Sequence, residues 1–138
     1  MIHFDFLQTP DDDTLRQMIR LYREAGWWGN APDDPILVRR LVAGSHCVAV
    51  ARWEGRVVGM GRAISDGASD AWIQDVTVEA AMRHRGIGSG IVRRLVARLE
   101  ADGIGWIGLV AENGSHPMYE PLGFAAMKNA QPMVRIKQ

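Results

Sequence analysis

Residues 71–111 change hydrophobic period twice, and that change restricts the fold more than any other feature of the chain. AWIQDVTV (71–78) reads as a strand. Behind it RHRGIGSG (Arg83–Gly90) is a glycine-rich turn. At once Ile87, Ile91, Val92, Leu95, Val96 and Leu99 set an apolar stripe at helical spacing, with Arg93, Arg94 and Arg98 facing away. This predicts a helix over about 87–101, and IGWIGLVA (104–111) then reads as a buried strand. Strand, helix and strand in that order form a crossover unit, which sets the two strands parallel.

The flanking sequence supplies the rest of a layered domain. IHFDFL (2–7) alternates apolar and polar, as a strand does. Thr9 then predicts an N-cap with Pro10 at the first helical position, and Asp11, Asp12 and Asp13 suit the positive end of a helix that runs to Gly26. A second helix is expected at about 34–43. CVAVARW (47–53) and RVVGMGRAI (56–64) are two strands joined at Glu54-Gly55, a hairpin signal. SHPMYEPLGF reads as a short helix and its exit, and PMVRIK (132–137) as a last strand. The expected class is a mixed α/β (α+β) domain with a mostly antiparallel sheet and one parallel pair. Residues 1–138 fit a single domain.

Composition narrows the partners. Sixteen basic and sixteen acidic residues give no net charge, so nucleic acid is not expected and any affinity for phosphate must be local. One cysteine, Cys47, leaves no internal disulfide or multi-cysteine zinc site, and no histidine pair has ligand spacing, so no metal is expected. The segment MIHFDFLQTPDDD does not read as a signal peptide, and no apolar run approaches the ~20 residues of a membrane span. A cytoplasmic location without membrane association is the expectation.

Three phosphate-binding patterns compete for RHRGIGSG. A Walker loop needs GxxxxGK[ST], and no lysine stands here. A dinucleotide fingerprint starting at Gly86 would need a third glycine where Ile91 stands, and three strands already precede the strand that enters the turn, where an early βαβ unit is required. [Q/R]xxGxG is met by Arg83, Gly86 and Gly88. Glycines there let the backbone approach a pyrophosphate, and free N–H groups at the helix start point at it. Twenty-three residues beyond Gly90 begins a second pattern, N-x(5)-Y-x(3)-GF, carried by Asn113, Tyr119, Gly123 and Phe124. Together with V-x(4)-RxxGIG from Val78 to Gly88, it resembles the GNAT superfamily of acyl-CoA-dependent N-acyltransferases over at least residues 47–127. RAISDG, IQDVTV and the upstream AGW look most like its small-amine acetyltransferases.

The resemblance implies a central mixed sheet with a splayed parallel pair and helices on both faces. It implies acetyl-CoA as cosubstrate, with its pyrophosphate on the backbone of Arg83, His84, Arg85, Gly86, Ile87, Gly88 and Ser89. Val76, Thr77 and Val78 would pair with the pantetheine arm, and Asn113 would contact it. Ala80 stands where the family often has proline, a small departure. Tyr119 matches the residue that protonates the departing thiolate. The acceptor would be a small-molecule amine, with a protein amine or a non-catalytic coenzyme A-binding module as alternatives, and a homodimer is compatible with the family.

The general base is less constrained. Asp75 interrupts an apolar strand, where burial raises a carboxylate's hold on a proton. Alternation puts it on one face with Ile73 and Thr77, opposite Trp72, Gln74 and Val76. A structural role, hydrogen-bonded to backbone, fits Asp75 equally. Glu112 is a rival, and Glu79 is expected to be exposed. Trp27 and Trp28, near Asp33 and Asp34, lie where the family places its acceptor and would suit a cationic or aromatic amine. For one of the pair, packing between the two helices is the better explanation. Cys47 opens an apolar strand and reads as core.

Overall fold

The computed structural model describes residues 1–137. Five strands form one sheet in sequence order: β1 (Ile2–Leu7), β2 (Cys47–Trp53), β3 (Arg56–Ser65), β4 (Asp70–Val78) and β5 (Trp106–Leu109). β1 to β4 are antiparallel neighbours, and β5 lies parallel to β4. Glu54 and Gly55 turn the β2–β3 hairpin, both at positive φ as a two-residue turn of the right twist requires. The expected sheet is therefore present.

Helix α1 (Asp12–Ala25) and α2 (Pro35–Gly44) cover one face, and α3 (Ile87–Ala101) covers the other. Leu15, Met18, Ile19 and Tyr22 of α1 bury against Val48, Val50, Val57 and Met60. On the opposite face Ile91, Leu95 and Leu99 pack on Ala49, Ala51, Val58 and Ala63. Small residues on β2 and β3 let α3 sit close, and burying each large aliphatic chain there contributes about 1.5–3 kcal/mol. A short helix α4 (His116–Tyr119) follows β5.

Two boundaries and one strand differ from the sequence reading. Asp11 caps α1, its carboxylate accepting from the Thr14 N–H at 2.8 Å, so Thr9 and Pro10 lie before the helix. β5 is shorter than predicted, although Ile104 ahead of it is buried. PMVRIK forms no strand, and Met133, Val134 and Ile136 are exposed. An alternating pattern supplies one side of a ladder only; a strand also needs a paired neighbour, and this segment has none among the described residues. Among the described residues no helix is long and apolar enough to cross a membrane.

Candidate active site

The parallel pair is short. β4 is paired with β5 from Asp70 to Ile73, and β5 stops at Leu109 while β4 continues to Val78. Thr77 and Val78 thus keep β3 on one side, Val76 stands at the shift in that ladder, and all three have an open edge on the other side. Val76 and Val78 turn their side chains into the α3 cluster, which leaves their backbone facing the gap.

Beyond Val78 the chain makes one 3-10 turn (Ala80–Met82) and reaches α3 through Arg83, His84, Arg85 and Gly86. Gly86 is the N-cap at φ +78, and no atom lies within 4 Å of where its Cβ would stand. Among the described residues no side chain caps α3, so its first N–H groups, from Ile87, Gly88 and Ser89, point outward. Arg83, His84 and Arg85 are exposed around them. An uncapped helix start beside open space fits a pyrophosphate. The third glycine has another explanation: a Cβ on Gly90 would stand 2.5 Å from the Phe4 ring, so Gly90 lets α3 pack on β1.

α4 closes the far side of the gap. A Cβ on Gly88 would meet the Met118 sulfur at 3.0 Å, so Gly88 admits α4 next to the helix start. Tyr119 is 8% exposed, lies edge-on to Phe124 with centroids 6.0 Å apart, and shares the α3 cluster with Val76, Val78 and Ile87. Burial raises its phenol above the ordinary tyrosine value, so it keeps its proton at neutral pH. Asn113 stands at φ +55 in the loop between β5 and α4, a left-handed position that asparagine tolerates.

Asp75 is placed by a bulge that the sequence does not announce. In the β3–β4 ladder Met60 pairs with Thr77 and Arg62 with Gln74, so Asp75 and Val76 both stand opposite Gly61. Asp75 takes φ +58 there. The extra residue breaks the expected alternation, and Asp75 parts from Ile73 and joins the α1 side while Val76 joins Ile73 on the α3 side. A Cβ on Gly61 would come within 2.9 Å of Ile91 and 3.2 Å of Val76, so any larger residue opposite the bulge would have to displace those side chains.

On the α1 side Asp75 is held by two residues the sequence reading did not single out. Arg62 Nε donates to its Oδ2 at 2.6 Å, and the Tyr22 hydroxyl donates to the same oxygen at 2.8 Å. Arg62 also reaches Ser45 Oγ at 3.3 Å. Met18, Leu41 and Met60 line the narrow cavity around these groups. Burial, then the Asp75 charge, push the Tyr22 phenol well up, so it stays a donor. Arg62 interrupts the apolar run of β3, a signal that a polar group there needs a partner, whereas Tyr22 falls on the apolar stripe of α1 and carries no such signal.

The remaining candidates separate. Trp28 is stacked on Tyr22 at 5.1 Å, with the Arg23 guanidinium 5.1 Å from its centroid, so its faces are occupied. Trp27 is 43% exposed and edge-on to Tyr22. Asp33 is paired with Arg23 at 2.5 Å and Asp34 caps α2, so neither stands free beside the tryptophans. Cys47 is buried and its thiol is pushed up to about 11 by that burial, as a core residue's would be. Glu79, expected at the surface, is 4% exposed, because two arginines enclose it.

Known proteins share this fold. Residues 13–124 match the model of the Acetyltransferase (GNAT) family. A curated relative, serotonin N-acetyltransferase 2, chloroplastic, from Oryza sativa subsp. japonica, is 41% identical over 71 residues, which are 51% of this chain and 36% of that protein. The chain thus spans about a third of that relative's length. A GNAT-family acetyltransferase from Streptococcus pneumoniae superposes with TM-score 0.80 at 21% identity, covering 100% of this chain and 99% of that one. A predicted acetyltransferase from Clostridium acetobutylicum solved with acetyl-CoA gives 0.72 at 20%, over 97% and 96%. At those identities the structures speak for the fold, and the family match carries the assignment: this chain belongs to the GNAT acetyltransferase family.

Proposed function

We propose that the chain transfers an acetyl group from acetyl-CoA directly to the primary amine of a small molecule. The observation that carries this reading is the open edge of Val76–Val78, bounded by the uncapped α3 start on one side and Tyr119 on the other. The donor's diphosphate would lie on the backbone of residues 83–89 and its arm along β4, near Asn113. Bound acetyl-CoA supplies the activated thioester.

The chain's own groups then have separate tasks. Tyr119 holds a proton at its phenol oxygen for the sulfur that departs as the C–S bond breaks. Asp75 stands on the other side of β4 with both its protein donors on Oδ2, which leaves Oδ1 to accept, through water, the proton shed by the attacking nitrogen. Trp27, exposed beside this group, is the aromatic surface for the acceptor.

Tyr119→Phe tests the assignment. It should retain acetyl-CoA binding in a titration and lower turnover about 100-fold, read as thiol released from acetyl-CoA across an amine panel with a lysine peptide included. Undiminished turnover removes Tyr119 from the mechanism. Tight donor binding by the unchanged protein with no turnover on any amine removes the enzyme reading and leaves a coenzyme A-binding module.

A further inference from the structure

We propose that Glu79 is the positioning residue of the donor turn, acting through two arginines rather than by touching the donor. Glu79 directly follows β4 and opens the segment that ends at the α3 start. Its carboxylate receives three guanidinium bonds: Arg56 NH2 to Oε1 at 2.7 Å, Arg56 NH1 to Oε2 at 2.5 Å, and Arg20 NH1 to Oε2 at 2.8 Å. Arg56 belongs to β3 and Arg20 to α1, and Arg20 also donates to the Val57 carbonyl at 2.9 Å. The side chain is 5% exposed, while the arginines are 40% and 43% exposed.

The backbone of the same residue is fixed as well. Glu79 N–H donates to the Val58 carbonyl at 2.9 Å, and its carbonyl accepts from Met82 N–H at 2.9 Å, which starts the 3-10 turn. Glu24, one helical turn beyond Arg20, accepts from the Ala80 N–H. Arg83 Nε returns to the Val78 carbonyl at 3.0 Å. The segment from Val78 to Arg83 is thus tied to β3 and α1 at both main chain and side chain. A buried carboxylate with two cationic partners holds geometry because misplacing it strands charge.

The consequence is specific to the donor's phosphates. Backbone N–H groups bind an anion only from a set direction, so a turn released at Glu79 loses pyrophosphate affinity before it loses anything else. Glu79's role presupposes that residues 83–89 hold the pyrophosphate. Glu79→Gln is assayed with acetyl-CoA and with S-acetylpantetheine, which lacks that group, and Arg56→Met serves as a second variant at a half-exposed position. The expected result is a KM for acetyl-CoA raised about tenfold, kcat at saturation within about twofold, and a KM for S-acetylpantetheine equal to that of the unchanged protein. Arg56→Met should move the same parameter in the same direction. If both donors weaken alike in these variants, or neither does, the positioning role is overturned. If the unchanged protein already treats the two donors alike, the pyrophosphate reading falls and this role with it.

Discussion

From Val76 to Ser89 the chain presents backbone, an open strand edge followed by uncapped amides; at Asp75, one residue earlier, it presents a carboxylate gripped by Arg62 and Tyr22. The first surface depends on φ angles and glycines and tolerates many side chains. The second depends on partners brought from β3 and α1, and changes with any of them. α1 serves both: Tyr22 reaches Asp75, while Arg20 and Glu24, two residues to either side, reach Glu79 and Ala80. A donor common to a family and an acceptor that varies within it suit this division.

Separate substitutions should affect the two halves separately. Asp75→Asn removes the carboxylate proposed as the acceptor-side proton acceptor and is expected to lower turnover at saturating acetyl-CoA about 100-fold, with donor affinity unchanged in a binding titration. Equal loss of donor affinity would break the division at its centre. Gly86→Val acts on the other half. A branched residue at φ +78 costs about 1–2 kcal/mol, so the turn relaxes away from that angle. Affinity for coenzyme A should fall about tenfold, while kcat at saturating donor stays close to the unchanged value.

The same contrast explains what the sequence could say. Arg83, Gly86 and Gly88 are legible because a turn built from backbone demands particular residue types at fixed, short spacing. The α3 stripe and the β2–β3 hairpin are legible for the same local reason. Asp75 could be noticed as a carboxylate in an apolar strand, but its partners could not, since Tyr22 lies 53 positions away and Arg62 13. The bulge that turns it toward α1 lies opposite Gly61, where a side chain would crowd Ile91 and Val76, a constraint set between three elements. Glu79 repeats the lesson: an acid next to a turn looks solvated until Arg20, 59 positions earlier, closes over it. Residues 132–137 show the reverse, with a pattern that had no partner to read.

A smaller effect is expected at Tyr22. Tyr22→Phe removes one bond to Asp75 and leaves Arg62 in place, so the carboxylate keeps its stronger partner. Losing about 1 kcal/mol of orientation corresponds to a turnover about fivefold lower, with donor affinity untouched. A change in donor affinity instead would mean that α1 transmits strain from Asp75 to Glu79, and the two halves would be one unit.

The smallest effect distinguishes the halves without any substrate. The guanidinium bond from Arg56, reinforced by Arg20, holds the Glu79 carboxyl below its ordinary value of 4.5. A folded-state pKa below the unfolded one means that the unfolded chain binds the proton more readily. Stability from this group is therefore complete above pH 4.5 and is lost as pH falls through the lower, folded value. Glu79→Gln removes a titrating group from that window. Its chemical-denaturation stability should decline less steeply with acid below pH 4.5 than that of the unchanged protein, while being lower than it at pH 7. Tyr22→Phe removes no group that itself titrates in this range, since the Tyr22 phenol remains protonated throughout it. If Glu79→Gln keeps the unchanged protein's acid slope, the charge of Glu79 contributes nothing to holding the donor half, and the bonds from Arg20 and Arg56 act there as polar contacts alone.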